Sequence, residues 1–493
     1  MRPSFPLTTE AWIPLFDLDA GQPREVGLVE ALTRAHRLSL SAGDAAGVPM
    51  LRFLAAAHDA AAGPTTTEEW DAAWRAETLD QDRITAYLNR WADRLDLFHP
   101  EHPALQCGHL TEPNRGPLAL NPMALQGQYM SGAACLEPDH PAWAPAEAAR
   151  HLLYHLAYGV AGIKTPAPGD PAARANKIYG SHTGTLGSCT HAHVELVGGT
   201  LKDALLLALP PQQRADEDAP VWERETPPTP MRTRAPAGRL DVLTWPSRRT
   251  RLFADDHGMV TGLAYHDGDR LPAEKGPSAV LHPLDPMTAW RTSTKGAPAP
   301  FNFTNTAGAP IPWAPAELLN PDPHSPLPEP SRAVRHAIDA AAYGVLDPKA
   351  RLRVVLATAV YGTQQAVLTD TPVLSMPLGS AGQLATDAHR ERLARAAALI
   401  KAQERVLGGN LADTMGATDR KHVGRFMAMA TFELELEGHW HRFVNDPEGA
   451  WTSLTRAIDE AAERRLALTP GRDLIILAKY HRNNAAQHSL VTP

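Results

Sequence analysis

Cysteine is scarce in this chain. Cys107, Cys135 and Cys189 are the only three in 493 residues, and no two of them form a C-x-x-C pair. That excludes a disulfide framework and points to a reducing compartment, the cytoplasm. Long apolar runs are missing as well. Stretches such as Ala204–Leu209 fall far short of the ~20 apolar residues a membrane helix takes. The opening Met1-Arg2-Pro3-Ser4-Phe5-Pro6 has no apolar core of a secretory signal, so no membrane association is expected. Catalytic signatures are also lacking: no Gly-x-Ser-x-Gly elbow, no phosphate-cradling lysine loop and no dinucleotide fingerprint occur. No two carboxylates stand at a recognisable acid–base spacing. Finally, there is no general excess of positive charge. The formal net charge of −8 argues against indiscriminate nucleic-acid binding over the whole surface.

What the chain does have is length and proline. At 493 residues, with 45 prolines and 43% hydrophobic residues, it can bury a large core and should divide into at least two domains. The first ~360 residues are irregular, with short β-like runs at Val194–Val197 and Val354–Val360. Helical patterns cover Leu51–Ala62 and Ala146–Ala157, and long connections run over Pro210–Arg239 and Lys295–Pro330. The last ~115 residues differ. Leu393, Ala397, Ile400 and Leu407 fall on one helical face, and Phe426, Met429 and Leu436 on a second. Asp446-Pro447-Glu448 reads as a helix start, followed by Trp451, Leu454 and Ile458. A fourth helix is expected over roughly Arg472–Ala486. Four amphipathic helices on short connections are best satisfied by a bundle. The expected fold is therefore α+β: a large mixed α/β N-terminal domain with irregular loops, residues 1–378, and a C-terminal four-helix bundle, residues 379–493.

Several features could carry function. Gly184-Thr185-Leu186-Gly187-Ser188, ahead of a strand-like run, makes a turn where two glycines let backbone groups approach a partner closely. A basic cluster lies between Arg224 and Arg251, and includes Arg232, Arg234, Arg239, Arg248 and Arg249 with Glu225 and Asp241 opposed to it. It reads either as a solvated loop or as a patch, centred on Arg248, Arg249 and Arg251, that meets phosphate. His151 and His155 stand i, i+4, but Leu152 replaces the glutamate of the protease motif. Cys189, His191 and His193, with His182 as a further ligand, would suit a metal-dependent hydrolase. Strand alternation explains the same spacing. A pure scaffold is the third reading.

A family resemblance runs through most of the chain. Its carriers are Leu7-Thr8-Thr9-Glu10-Ala11-Trp12-Ile13-Pro14, His99-Pro100-Glu101-His102-Pro103-Ala104-Leu105-Gln106 and Asn121-Pro122-Met123, followed in order by the glycine turn. Gly199-Thr200-Leu201-Lys202-Asp203-Ala204-Leu205-Leu206-Leu207, Val260-Thr261-Gly262 and the helical C-terminus complete them. Together these resemble CasA, the large subunit of the type I-E CRISPR surveillance complex Cascade. The resemblance implies a non-catalytic subunit that reads the protospacer-adjacent motif (PAM) on double-stranded DNA and promotes duplex opening for guide-RNA pairing. Gly184, Thr185, Leu186, Gly187 and Ser188 match the family's PAM-reading loop. The loop holding Glu137, Asp139 and His140 matches an element at the PAM or at a subunit contact. Arg270 or Lys275 would supply the minor-groove cation, and Lys349 or Leu346 the tip of a wedge. Implied partners are target duplex, the crRNA-containing Cascade subunits and a helicase–nuclease recruited after target binding. No cofactor is implied, and no zinc, because Arg251–Gly258 has no cysteine.

Overall fold

Alanine and leucine fill the helix Gly47–Ala62, in which nearly every residue is buried. A helix apolar on all sides belongs at the centre of a core, and this one is the axis of the first of two units. The computed structural model describes residues 3–40, 44–120, 142–272, 276–293, 296–305, 308–320, 328–414 and 420–467. The first unit comprises Met1–Pro300, Ser331–His336 and Ala357–Val373, the second Phe301–Pro330, Ala337–Leu356 and Leu374–Pro493.

In the first unit, strands Ile13–Asp17, Gln22–Val26 and Leu38–Ser39 form a small antiparallel sheet. Ile13, Leu15 and Asp17 turn inward while Pro14 and Phe16 face out, as period-two alternation demands. Burial of the central helix brings Arg52 inside, where Asp285 takes both guanidinium nitrogens at 3.1 and 2.6 Å. Helix Pro145–Tyr158 starts on proline and stops at Gly159, whose N–H closes on His155 O. Helix Leu201–Ala208 opens with a reciprocal cap between Thr200 and Asp203. Strand Thr190–Leu196 is buried almost throughout and pairs antiparallel with Thr288–Thr292, which in turn pairs with Pro298–Pro300. A long hairpin joins Arg248–Ala254 to Val260–Asp267. Tyr158, Leu186, Cys189, Trp245 and Trp290 meet in one core cluster.

The second unit is built on helices Asp387–Thr414, Arg420–Asn445 and Trp451–Ala467. Leu393, Ala397, Ile400 and Leu407 are fully buried, as are Leu436, Leu454 and Ile458. The helix expected at Pro447 begins at Trp451 instead, because Asp446 caps a turn by accepting the Gly449 N–H at 3.0 Å. The expected fourth helix lies outside the described residues. Earlier chain joins this unit: Lys401 pairs with Glu317 at 2.7 Å, and Trp313 meets Trp440 edge-on at 6.5 Å. The helical unit thus takes in residues that precede position 379. No described helix is long and apolar enough to cross a membrane. The architecture is α+β, mixed in the first unit and mainly helical in the second.

Candidate nucleic-acid interface

The segment from Gly159 to Cys189 leaves one helix end, makes a hairpin and returns to the same end. After Gly159 the strands Gly162–Lys164 and Ile178–Ser181 pair antiparallel. The chain then reaches Thr183, and Thr185–Ser188 form one turn of 3-10 helix. Gly184 is buried, and its N–H donates to Gly159 O at 2.7 Å. A Cβ there would stand 2.3 Å from Ala157 O, so the glycine is dictated by packing on the helix terminus. Gly187 fits under the Tyr361 hydroxyl, which would lie 2.3 Å from an added Cβ and which donates to Tyr158 O at 2.8 Å. Leu186 points into the core at 1% exposure. Thr183 and Ser188 hydroxyls are 2.9 Å apart. What remains partly exposed is Thr185, Gly187 and Ser188. The open backbone turn expected from two glycines is therefore a pinned one: a Cβ at either glycine would run into the protein, while Thr185, Gly187 and Ser188 stay partly exposed.

Arginine holds this geometry from beneath. Arg248, 2% exposed, donates to Val160 O and His182 O, each at 2.7 Å, and to Ser247 O at 2.6 Å. Arg270 donates to Tyr179 O at 2.9 Å and pairs with Asp267 at 2.6 Å. Lys164 bonds Ala161 O, and burial, reinforced by Arg248, pushes its pKa down to about 7. Burial likewise lowers the pKa of His182. Asp267 is the acid that faces both arginines, at 3.8 and 2.6 Å. Arg248 and Arg270 thus share the Asp267 carboxylate next to the turn.

The basic patch itself has to be corrected. Arg248 and Arg249 are buried at 2% and 0% exposure and cannot reach a phosphate. Arg249 pairs with Asp269 and donates to Pro228 O, and Arg251 spends its guanidinium on the carbonyls of Gly108, Leu110 and Pro100. Arg232 and Arg234 also converge on Asp269, and Arg239 on Asp59. Asp241, within the cluster, pairs with Arg234 and Arg224, and the remaining carboxylates, Asp59, Asp267 and Asp269, lie outside it in the sequence.

The metal-site reading is corrected too. The Cys189 thiol donates to Thr185 O at 3.2 Å, and burial raises its pKa. His191 Nε2 lies 2.8 Å from His193 Nδ1, whose Nε2 meets Glu195 Oε1 at 2.9 Å. These buried nitrogens occupy one another instead of converging with the thiol, and no cluster of metal-ligand type occurs among the described residues. Of the other expected site residues, Arg270 is partly buried and already paired. Lys349 is exposed and belongs to the second unit, while Leu346 is 2% exposed and cannot be a wedge tip. Lys275, Glu137, Asp139 and His140 lie outside the described residues. Tyr361, Lys164 and Asp267 were not found from sequence, where nothing sets them apart.

The family model of CRISPR-associated protein Cse1 matches residues 6–468. This chain belongs to the Cse1 family. It is 36% identical over 314 residues to the CRISPR-associated protein CasA/Cse1 of Thermus thermophilus, a match covering 59% of this chain. That match spans 56% of the relative's own length. The fold is shared with Thermobifida fusca Cse1 at a TM-score of 0.77 and 24% identity, covering 99% of this chain and 98% of that one. A chain of a CRISPR RNA-guided surveillance complex superposes at a TM-score of 0.75 and 19% identity, over 98% of this chain and 99% of the other.

Proposed function

We propose that this chain is the non-catalytic large subunit of a type I-E CRISPR surveillance complex, Cascade, and that it reads the PAM on double-stranded DNA and promotes duplex opening. The observation that carries this reading is the pinned Thr185–Ser188 turn, part-exposed over Arg248 in a Cse1-family chain. A backbone rim of small residues suits the narrow minor groove, whose hydrogen-bond pattern is degenerate. Rigid support means little conformational entropy is lost on contact. Exposed Lys349 remains the candidate wedge tip, and Arg270 the candidate groove cation. Guide-RNA pairing then extends the opened duplex, and a helicase–nuclease is recruited. The hydrolase reading has lost its ligand set, and the scaffold reading becomes an outcome of the test.

The test assembles the chain with the crRNA-containing subunits and offers a duplex library randomised beside a guide-matched sequence. Enrichment of a short motif is expected. Ser188→Glu, which puts an acid on the rim, should reduce that enrichment on the order of ten-fold while the complex still assembles, because an unpaired like charge at a contact costs a kcal/mol or more, ~1.4 per decade. A complex that assembles and binds guide-matched duplex with no motif preference would overturn the motif-reading role of the turn.

A further inference from the structure

The hairpin of strands Gly162–Lys164 and Ile178–Ser181 leads into the turn. Residues 171–177 are exposed without interruption. Arg174 and Lys177 close the hairpin through reciprocal backbone bonds, Arg174 N–H to Lys177 O at 2.9 Å and Lys177 N–H to Arg174 O at 3.0 Å. Between them Ala175 and Asn176 have φ of +49° and +57°, the two positive values that a two-residue hairpin turn requires. Glycine is the relaxed choice in that region, and alanine is disfavoured there. The turn forces Arg174 and Lys177 to stand directly opposite each other, with Cβ atoms about 5 Å apart.

Like charges in directly opposed positions repel. Neither cation has an ion-pair partner among the described residues. The acid of residues 162–183, Asp170, is buried and turned inward, accepting the N–H groups of Ala172 and Met231. On the same hairpin Tyr179 is 50% exposed and Ile163 58% exposed, and Arg270 grips the Tyr179 carbonyl. Among the described residues the two cations are therefore uncompensated, side by side on a strained tip, a few residues before the Thr185–Ser188 turn. An anion between them removes the repulsion.

We infer that the Arg174–Lys177 pair is a phosphate clamp that grips the backbone of duplex DNA beside the motif, without reading its sequence. The inference rests on the proposal that Thr185–Ser188 meets the same duplex. A two-stranded ribbon of this width is compatible with a groove edge. Its recognition is that of paired cations for phosphate oxygens, with arginine supplying a forked donor and lysine a point charge.

The experiment measures binding of the assembled complex to motif-bearing and motif-free duplexes across a salt series, for the natural chain and for Arg174→Gln with Lys177→Gln. The variant should bind both duplexes more weakly by the same factor, and its log–log salt slope should be shallower by about one per residue, about two in all. It should melt no lower than the natural protein, since a repulsion has been removed. Arg90→Gln, an exposed cation elsewhere in the first unit, is the control and should leave the slope unchanged. An unchanged slope in the double variant overturns the clamp. So does a defect confined to assembly, which would assign the hairpin to guide RNA or a protein subunit. If the natural complex shows no motif preference while the slope still responds to the pair, the clamp stands and the reading of Thr185–Ser188 falls.

Discussion

Gly184→Ala separates two reasons for a glycine ahead of the Thr185–Ser188 turn, backbone conformation and space. The φ of −58° and ψ of 167° at Gly184 are open to any residue, so no backbone strain is expected. Space is the obstacle. An added Cβ would stand 2.3 Å from Ala157 O, 2.5 Å from its carbonyl carbon and 2.6 Å from Leu156 O, about 1 Å inside the 3.4 Å where ordinary contact begins. These are backbone atoms, and their surroundings are committed: Ser247 Oγ donates to Leu156 O at 2.8 Å, and Gly184 N–H to Gly159 O at 2.7 Å. Overpacking a tight site costs about 1–3 kcal/mol, and a weakened hydrogen bond adds about 1 kcal/mol. A loss of about 3 kcal/mol is expected, a fall in melting temperature of roughly 4–5 °C for a unit as large as the first. At Gly187 the obstacles are side chains, the Tyr361 hydroxyl at 2.3 Å and Thr183 Cβ at 2.6 Å. Gly187→Ala should therefore cost less, about 1–2 kcal/mol. Tyr361→Phe removes the nearest atom and should relieve that cost by about 1 kcal/mol in a double-mutant cycle. The assay is calorimetric unfolding of the full chain. A Gly184→Ala protein that melts with the natural one, or a Gly187→Ala cost untouched by Tyr361→Phe, would refute the packing argument. If both costs appear, a glycine variant that lost duplex binding would report a displaced turn, and rim positions such as Ser188 are the proper probes of contact.

Two further outcomes follow from the buried charges. Arg248→Met leaves the carbonyls of Val160, His182 and Ser247 without their donor and should cost about 3–5 kcal/mol in urea unfolding, with Arg248→Lys a poor substitute because a point donor cannot span three acceptors; a near-neutral effect would mean the guanidinium does not staple the turn. Burial holds His58, His155 and His336 neutral, with pKa values pushed from 6.5 down to about 4, 3 and 4. The unfolded chain takes up their protons near pH 6.5 and the folded chain only near 3–4, so stability is full above about pH 6.5 and declines as pH falls toward about 4. Unfolding free energies between about pH 7.5 and 5 should show that decline, shallower in His58→Gln by up to one proton, about 1.4 kcal/mol per pH unit; identical pH dependences would show that His58 is not buried neutral.

Helices were the most legible part of this chain. The stripe Leu393, Ala397, Ile400 and Leu407 marks a face that is fully buried, because a 3.6-residue period is a local property of the chain. The helix start at Asp446-Pro447 was placed too early. Asp446 serves a turn as readily as a helix, and its side chain bonds the Gly449 N–H. The position of the turn at Gly184–Ser188 was legible, but the reason for its glycines was not. Ala157 and Tyr361, which exclude side chains there, are far away in sequence. His191 and His193 share one face of the strand Thr190–Leu196, as alternation allows, and Cys189 precedes that strand.

Charge marks the division most sharply. Composition, the ordered motifs and helical periodicity were enough to indicate an α+β Cse1-family chain without a catalytic signature, since each depends on residue type and short spacing alone. Whether a given arginine is a free cation was decided by tertiary structure. Arg248 and Arg249 read as a surface patch beside Asp241, yet Asp267 and Asp269 fold against them and backbone carbonyls take the remaining donors. Arg174 and Lys177, an unremarkable pair in the sequence, are set opposite each other by a two-residue turn, with no ion-pair partner among the described residues. Electrostatic compensation acts through space, and only the folded chain specifies which charges are neighbours.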